Sequence, residues 1–202
     1  RKDIPNSVSK LEYECFNNCK SLKEIKLQSS DRKDIPSSVS EINSYCFLNC
    51  TSLTKVVIPD SITKIGKDCF KSCSSLSEIK LQSSDRKDIP ELVKRIENHS
   101  FYCCASLSKV IIPDSVTYIG KKAFRNCSSL KEIILPKSLV ELGLKCFENC
   151  FELENIVIQN NIEIIKRCVF DNCDKLQSIH VPNNFGNKLT RHKKLFVYEL
   201  NL

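Results

Sequence analysis

The chain has 202 residues, of which 41% are hydrophobic and 27% charged, a composition typical of a soluble globular chain. No stretch approaches the roughly 18 consecutive apolar residues of a membrane-spanning helix. The formal net charge is +7, but acids and bases alternate within most of the chain, and the densest basic cluster is Lys188, Arg191, Lys193 and Lys194. We therefore attribute the excess charge to solvation and predict that nucleic acid is not the partner.

The chain is a tandem repeat. A Phe followed three residues later by Cys occurs seven times, at Phe spacings of 31, 23, 31, 23, 23 and 23. The seven are Phe16, Phe47, Phe70, Phe101, Phe124, Phe147 and Phe170. Such periods are typical of stacked solenoids, in which each coil packs on its neighbours. We predict one repeat solenoid with coils of 23 residues, two of them, 22–52 and 76–106, lengthened to 31.

Each coil begins with the pattern L-x-x-I-x-L, as in Leu107, Val110 and Ile112. The alternating β-branched residues predict a short strand, and stacked coils would join these strands in a parallel sheet. A Pro-x-Ser turn follows. The apolar pair after it, such as Val116 and Ile119, predicts a second short strand on the opposite wall.

The third part of each coil, K-x-A/C-F-x-x-C, has helical spacing. Cys69, Phe70 and Cys73 occupy positions i, i+1 and i+4, the inward face of a single helical turn. The predicted fold class is therefore mainly β with short helical turns. A small polar residue before the second cysteine is expected to end each turn in a left-handed conformation. These residues are Asn18, Asn49, Ser72, Asn126, Asn149 and Asn172.

The strand and its following short coil resemble leucine-rich repeats. The full pattern, I-P-x-S-V-x-x-I-G-x-x-A-F-x-x-C-x-S-L-x-x-I, resembles the BspA-like leucine-rich repeat family in particular and covers about residues 1–182. The resemblance implies a right-handed solenoid of parallel strands, used for adhesion or protein binding at microbial and protist surfaces, without catalytic residues. The sequence departs from this pattern in its two lengthened coils, in the frequent Cys before Phe, and in a last coil that lacks Phe-x-x-Cys.

Two segments follow from the repeat pattern. Residues 1–182 are predicted to form the solenoid, which begins mid-repeat because RKDIPNSV at 1–8 returns as RKDIPSSV at 32–39. We interpret the chain as a fragment or a processed product. Residues 183–202 are predicted to form a degenerate C-terminal capping coil and strand, in which Phe185 and Leu189 replace the missing core residues.

The chain is cysteine-rich, with 13 cysteines, four pairs of which have the spacing C-x3-C. Thiolates at such a spacing suggest zinc. However, the residue before Phe is Ser100, Ala123 or Val169 in sister coils, so this position requires a small apolar group rather than a ligand. We predict reduced, buried cysteines without metal, because a disulfide within an i, i+4 pair has unfavourable geometry.

Catalytic motifs are missing from the sequence. The three histidines, His99, His180 and His192, share no metal-ligand or triad spacing, and no glycine-rich phosphate loop is present. Gly66, Gly120 and Gly143 are interpreted as turn glycines. We predict that the protein is not an enzyme and has no cofactor.

The outward face of the first strands carries two patterned columns. One alternates in charge through Glu24, Lys55, Glu78, Lys109 and Glu132, which would fix the register of the coils. The other contains Lys26, Val57, Lys80, Ile111, Ile134, Val157 and His180. Its apolar run, Ile111, Ile134 and Val157, predicts the centre of a protein-binding surface, although β-branched residues are also ordinary on strands.

The two lengthened coils share an insertion, QSSDRKDI, at 28–35 and 82–89. Because insertions of a solenoid lie on one face, Arg32, Lys33, Arg86 and Lys87 would form a multivalent charged edge. The alternative is a solvated loop that was copied with its repeat.

These patterns predict a protein-binding or cell-adhesion scaffold whose partner is a protein or a glycan. The alternative is an architectural spacer, or a self-associating segment of a longer surface protein. The resemblance suggests a cell-surface or extracellular location, whereas many free cysteines are typical of the cytoplasm. Sequons at Asn49, Asn98 and Asn126 would accept glycan only in a secreted chain.

Overall fold

The computed structural model describes residues 7–24, 38–58, 61–81, 92–158 and 162–180. Within these ranges the chain forms thirteen β-strands and no helix. The strands are β1 (Lys10–Leu11), β2 (Glu41–Ile42), β3 (Lys55–Ile58), β4 (Lys64–Ile65), β5 (Glu78–Leu81), β6 (Arg95–Ile96), β7 (Lys109–Ile111), β8 (Tyr118–Ile119), β9 (Glu132–Leu135), β10 (Glu141–Leu142), β11 (Asn155–Ile158), β12 (Ile164–Ile165) and β13 (Ser178–His180).

The two-residue strands form one parallel sheet, the short-strand sheet, with the order β1-β2-β4-β6-β8-β10-β12. Each coil contributes one strand, and equivalent residues of successive coils lie opposite each other. In every strand the second residue is buried and the first points outward. The predicted second strand of each coil and the parallel stacking are therefore confirmed.

The longer strands form the opposite wall, the long-strand sheet, which is divided in two. Strands β3 and β5 pair in parallel, and β7, β9, β11 and β13 form a four-stranded parallel sheet. Among the described residues β5 and β7 are not ladder partners, which corrects the prediction of one sheet through all coils. The break occurs in coil 76–106, where β5 leads directly into the insertion at 82–89.

The third part of each coil is a series of β-turns instead of the predicted helical turn. In the coil around Phe124 the amides of Ala123, Arg125 and Cys127 donate to the carbonyls of Gly120, Lys122 and Phe124 at 3.1–3.3 Å. Lys122 and Asn126 have φ values of 55° and 62°, which makes the first and third turns type II. The alternate amides, those of Lys122, Phe124 and Asn126, donate instead to carbonyls of the next coil. Their acceptors are Leu144, Cys146 and Glu148, each at 2.9 Å.

This alternation explains why a helix does not form. A helix would keep every hydrogen bond within one coil, whereas here every second amide is used to join coils. The left-handed conformation predicted before the second cysteine is confirmed at all six expected residues. A second left-handed residue, two positions before each Phe, was not expected, because it carries neither Gly nor Asn in any coil.

The core is a set of inward columns that run through successive coils. The Phe rings stack nearly parallel, with centroids 5.1–5.7 Å apart and interplanar angles of at most 11°. Leu and Ile from both sheets complete this core. Parallel rings with centroids this far apart are offset from each other, and offset stacking is an arrangement that aromatic pairs prefer.

Gly143 is required by a close approach between coils. A Cβ at this position would collide with the carbonyl carbon of Gly120 in the preceding coil. No glycine in the described ranges has a positive φ, so none is needed here for a left-handed conformation. The Gly120 carbonyl accepts from the Ala123 amide and so begins the first turn of its coil, while the missing Cβ lets the backbones of neighbouring coils pack closely.

The predicted cap at 183–202 lies outside the described residues, as do the insertions at 28–35 and 82–89. Within the described ranges, no helix is both long enough and apolar enough to cross a membrane.

Candidate functional site

The predicted apolar row lies on the outward face of the long-strand sheet. Ile134 in β9 is opposite Ile111 in β7 on one side and opposite Val157 in β11 on the other. Inward residues alternate with these three, because side chains along a strand point to opposite faces. Ile134 is 39% exposed, and its two neighbours are partly buried. The structure thus places the three residues side by side on one surface.

The remaining members of this column are placed only in part. Val57 lies opposite Lys80 by backbone register in the β3–β5 pair of the smaller sheet. His180 lies opposite Val157 by backbone register. Lys26 lies outside the described residues, as do the loop residues Arg32, Lys33, Arg86 and Lys87.

The neighbouring column carries the predicted alternation of charge in two separate pairs. Lys55 lies opposite Glu78, with Nζ 3.9 Å from a carboxylate oxygen, and Lys109 lies opposite Glu132. Because β5 and β7 do not pair, Glu78 is not a ladder partner of Lys109. Beyond Glu132 the column becomes uncharged with Asn155. The apolar row is therefore bordered by polar groups at its own strands.

The turns carry a second set of side chains that sequence reasoning missed. We call this surface, in the coils of Phe70, Phe101, Phe124 and Phe147, the turn face. It consists of the residues three and two positions before each Phe and one position after it: Lys67, Asp68, Lys71, Asn98, His99, Tyr102, Lys121, Lys122, Arg125, Leu144, Lys145 and Glu148. These residues come together only when the coils are stacked in register.

Asp68 is the most buried acid of the turn face. Its carboxylate lies 3.2 Å from Lys71 Nζ and 3.7 Å from His99 Nδ1. Burial lowers the pKa of His99, an effect that Asp68 opposes and that Lys71 and Lys122 reinforce. Among the described residues, no three His, Cys, Asp or Glu side chains are grouped so that they could hold a metal ion.

Glu148 forms the second acid-centred cluster of the turn face. It pairs with Arg125 from the preceding coil and with Lys145 Nζ at 2.7 Å. The pairing with Lys145 raises the pKa of that lysine. Both acids are thus used to position cations on this surface.

Eleven of the 13 cysteines occupy two positions of the repeat, one residue before Phe and three residues after it. Eight of the 13 are buried, which confirms the predicted ladder for them, and the exposed ones are Cys15 and Cys19 in the first described coil. None is in a disulfide. Their reduced state stays a prediction.

The two cysteine positions differ in hydrogen bonding. The second cysteine of each coil donates its S–H to the Phe carbonyl of the preceding coil, as Cys73 does to Phe47 at 3.1 Å. Equivalent bonds of 3.1–3.3 Å are made by Cys50, Cys104, Cys127, Cys150 and Cys173. The second position is Cys in all seven copies and makes this bond in six of them, whereas the first position also accepts Ser, Ala and Val.

The turn-ending Asn residues form a ladder of side-chain amides. Asn149 Nδ2 donates to Asn126 Oδ1 at 2.7 Å, and Asn49 Nδ2 donates to Asn18 Oδ1 at 3.0 Å. Of the sequon residues, Asn49 uses in the ladder the nitrogen that glycosylation would modify, whereas the same nitrogen of Asn126 donates to Cys103 Sγ at 3.2 Å. This placement supports a structural role for both.

Comparisons with known proteins identify the repeat. Residues 2–93 and 94–195 match the family model described as BspA type leucine-rich repeat region, in six copies. No match was found among curated proteins. Similar solved structures include a T. pallidum leucine-rich repeat protein, 24% identical with a TM-score of 0.57, where the alignment covers 84% of this chain and 83% of the other.

Two further structures belong to longer chains. A leucine-rich cell surface protein from Faecalibacterium prausnitzii is 28% identical, with a TM-score of 0.57 over 70% of this chain and 42% of its own. A leucine-rich repeat protein from Bacteroides ovatus is 27% identical, with a TM-score of 0.57 over 91% of this chain and 55% of its own. The chain thus spans about half the length of these two proteins.

Proposed function

Because the chain belongs to the BspA-type leucine-rich repeat family, we propose that it is a non-enzymatic scaffold that binds a macromolecular partner through the long-strand sheet. The observation that supports this is the row Ile111, Ile134 and Val157 on three adjacent strands. Contiguous exposed apolar side chains bordered by polar residues are typical of protein interaction sites.

The geometry suits a small central contact. Neighbouring strands are about 4.8 Å apart, so the three side chains extend over about 10 Å. Interfaces concentrate their binding energy in a few central residues that are surrounded by polar ones. Lys109 and Glu132 at the border of the row would supply that polar rim.

Location and partner follow from the same proposal. A surface location agrees with the description of the F. prausnitzii protein as a cell surface protein. In this proposal the partner is a protein or glycan met at that surface. Val57, Lys80 and Lys26 would add contacts at the equivalent positions of the earlier coils, and the loops with Arg32, Lys33, Arg86 and Lys87 would add a charged edge.

The test replaces Ile111, Ile134 and Val157 with Ser and measures binding to a panel of purified surface and matrix proteins by surface plasmon resonance. We expect a loss of affinity of about tenfold or more, because each side chain contributes buried apolar area. Unchanged affinity with an intact fold would reject the row as the site. A spacer would bind no member of the panel before or after substitution.

A matched control comes from the opposite side of the molecule. Leu92, Val140 and Ile164 are 54%, 38% and 39% exposed, and Ile164 is the outward residue of a short strand. Their replacement with Ser removes a similar number of apolar groups but should leave affinity unchanged. Replacement of Arg32, Lys33, Arg86 and Lys87 with Ser tests the loop edge separately, since that contribution should weaken as salt increases.

A further inference from the structure

The turn face concentrates positive charge. It carries six cationic side chains and two carboxylates, an excess of four charges, whereas the whole chain has a net charge of +7. The cations are Lys67, Lys71, Lys121, Lys122, Arg125 and Lys145. They come from coils that are far apart in the sequence, and the stacking of the coils brings them onto one side of the solenoid.

The two carboxylates do not neutralise this surface. Asp68 and Glu148 are both buried, and each already pairs with cations of its own neighbourhood. Neither Lys121 nor Lys122 forms an ion pair with any residue that the structure describes. Burial lowers the pKa of Lys122, and repulsion by Arg125, Lys121 and Lys145 lowers it further. The cations in the coil of Phe124 are therefore close enough to repel one another.

The backbone of the turn face is already satisfied. The Phe101 amide donates to the Ala123 carbonyl, and the Phe124 amide donates to the Cys146 carbonyl, both at 2.9 Å. An added peptide strand needs free backbone groups at a sheet edge, and these turns provide none for it. A ligand here must be recognised through side-chain charge.

The aromatic ring at the centre of the turn face, that of Tyr102, already contacts other side chains. Tyr102 has Lys71 Nζ and Arg125 Cζ each 5.7 Å from its ring centroid, and His99 meets it edge-on. Binding of single-stranded nucleic acid relies on aromatic rings that are open to stacking bases. Tyr102 instead holds two cations in place by cation–π attraction.

We propose that the turn face binds a linear acidic polysaccharide, which crosses successive coils and places carboxylates near Lys121, Lys122 and the cations of neighbouring coils. The coils repeat about every 4.8 Å along the solenoid, so a linear polyanion that crosses them meets Lys121 and Lys122 in one coil and Lys145 in the next. A stiff polysaccharide loses less conformational freedom on binding than a flexible acidic peptide of equal charge. This site is separate from the apolar row and does not depend on the proposed protein partner.

The test uses fluorescently labelled oligogalacturonate as the probe, with binding followed by anisotropy in dilute salt. Wild type should bind, and the variant Lys121→Ser/Lys122→Ser should lose about tenfold in affinity. The variant Lys121→Arg/Lys122→Arg keeps both charges and should bind as wild type does. Added salt should weaken binding, since charges are screened over about 10 Å at 0.1 M.

A charge-matched control separates the turn face from net charge. Lys23 and Lys131 are exposed side chains outside the turn face, and their replacement with Ser removes the same two charges. This control should bind the probe as wild type does. An equal loss in both Ser variants, or no binding by wild type, overturns the proposal.

Two competitors identify the class of ligand. Polyglutamate and oligothymidylate of the same charge should each displace the probe only at higher concentration than unlabelled oligogalacturonate. If polyglutamate competes equally or better, the site takes acidic peptides and the polysaccharide proposal is wrong. Stronger competition by oligothymidylate would assign the surface to nucleic acid and equally overturn it.

Discussion

The hydrogen bond of the second cysteine position should be measurable as stability. Cys69 and Cys73 lie in the same coil and are both fully buried, but Cys73 also donates to the Phe47 carbonyl at 3.1 Å. Replacement of either with Ala removes one buried heavy atom, which costs about 0.8 kcal/mol for transfer and a similar amount for the remaining cavity. Cys73→Ala additionally loses a hydrogen bond worth about 0.5–1 kcal/mol.

We therefore expect the free energy of unfolding to fall by about 1.5 kcal/mol in Cys69→Ala and by about 2–2.5 kcal/mol in Cys73→Ala. The Phe47 carbonyl keeps its bond from the Cys50 amide at 3.2 Å, so it is not left without a partner, and this limits the loss. Equilibrium unfolding in urea measures the difference, provided that the slope of the transition is unchanged. Equal losses, or a larger loss in Cys69→Ala, would refute the role assigned to this bond.

Four further outcomes can be checked. In native protein at pH 8, a thiol reagent should label Cys15 and Cys19 rapidly and the buried cysteines only after denaturation, as mass spectrometry of labelled peptides would show. Burial raises the pKa of Cys50 to about 12, while an unfolded thiol ionises near 9, so the free energy of unfolding should fall as pH rises above about 9 in urea titrations. Gly143→Ala should lower the free energy of unfolding by about 1–3 kcal/mol, because the added methyl group collides with the preceding coil. Deletion of 183–202 should lower the melting temperature if those residues cover the end of the core; an unchanged midpoint in calorimetry would dismiss the cap.

The repeat made most of the fold predictable, but the third part of each coil shows the limit. An inward pattern at i, i+1 and i+4 fits one helical turn, and it also fits the observed series of β-turns. The choice depends on amides such as that of Phe124, which bond to the next coil rather than within their own. Lys122 and Lys145 adopt φ values of 55° and 57°, although lysine does not favour a positive φ. Contacts between coils impose this conformation, so local sequence does not reveal it.

The candidate sites show a similar division. The apolar row could be found because Ile111, Ile134 and Val157 follow one strand pattern at a constant period of 23. The turn face was missed because charges were compared along the chain, where acids lie among the bases. Stacking instead sorts residues by their position in the coil, and burial together with repulsion by Arg125 and Lys145 then lowers the pKa of Lys122. The cationic surface can be found from the sequence if the coils are aligned on Phe and the charges are then counted at each position of the coil.

Hydrogen bonds between coils also determine how the outward columns can act. In the coil of Phe124 every second turn amide bonds to the next coil, so the spacing between equivalent side chains is fixed before any partner arrives. A ligand that spans several coils therefore meets groups that are already positioned, which reduces the entropy lost on binding. At inward positions packing limits which residue types are accepted, as the second cysteine position shows. Outward residues such as Ile134 and Lys121 can differ between coils without changing the spacing of the coils. One core can thus support an apolar surface on one wall and a cationic surface on its turns.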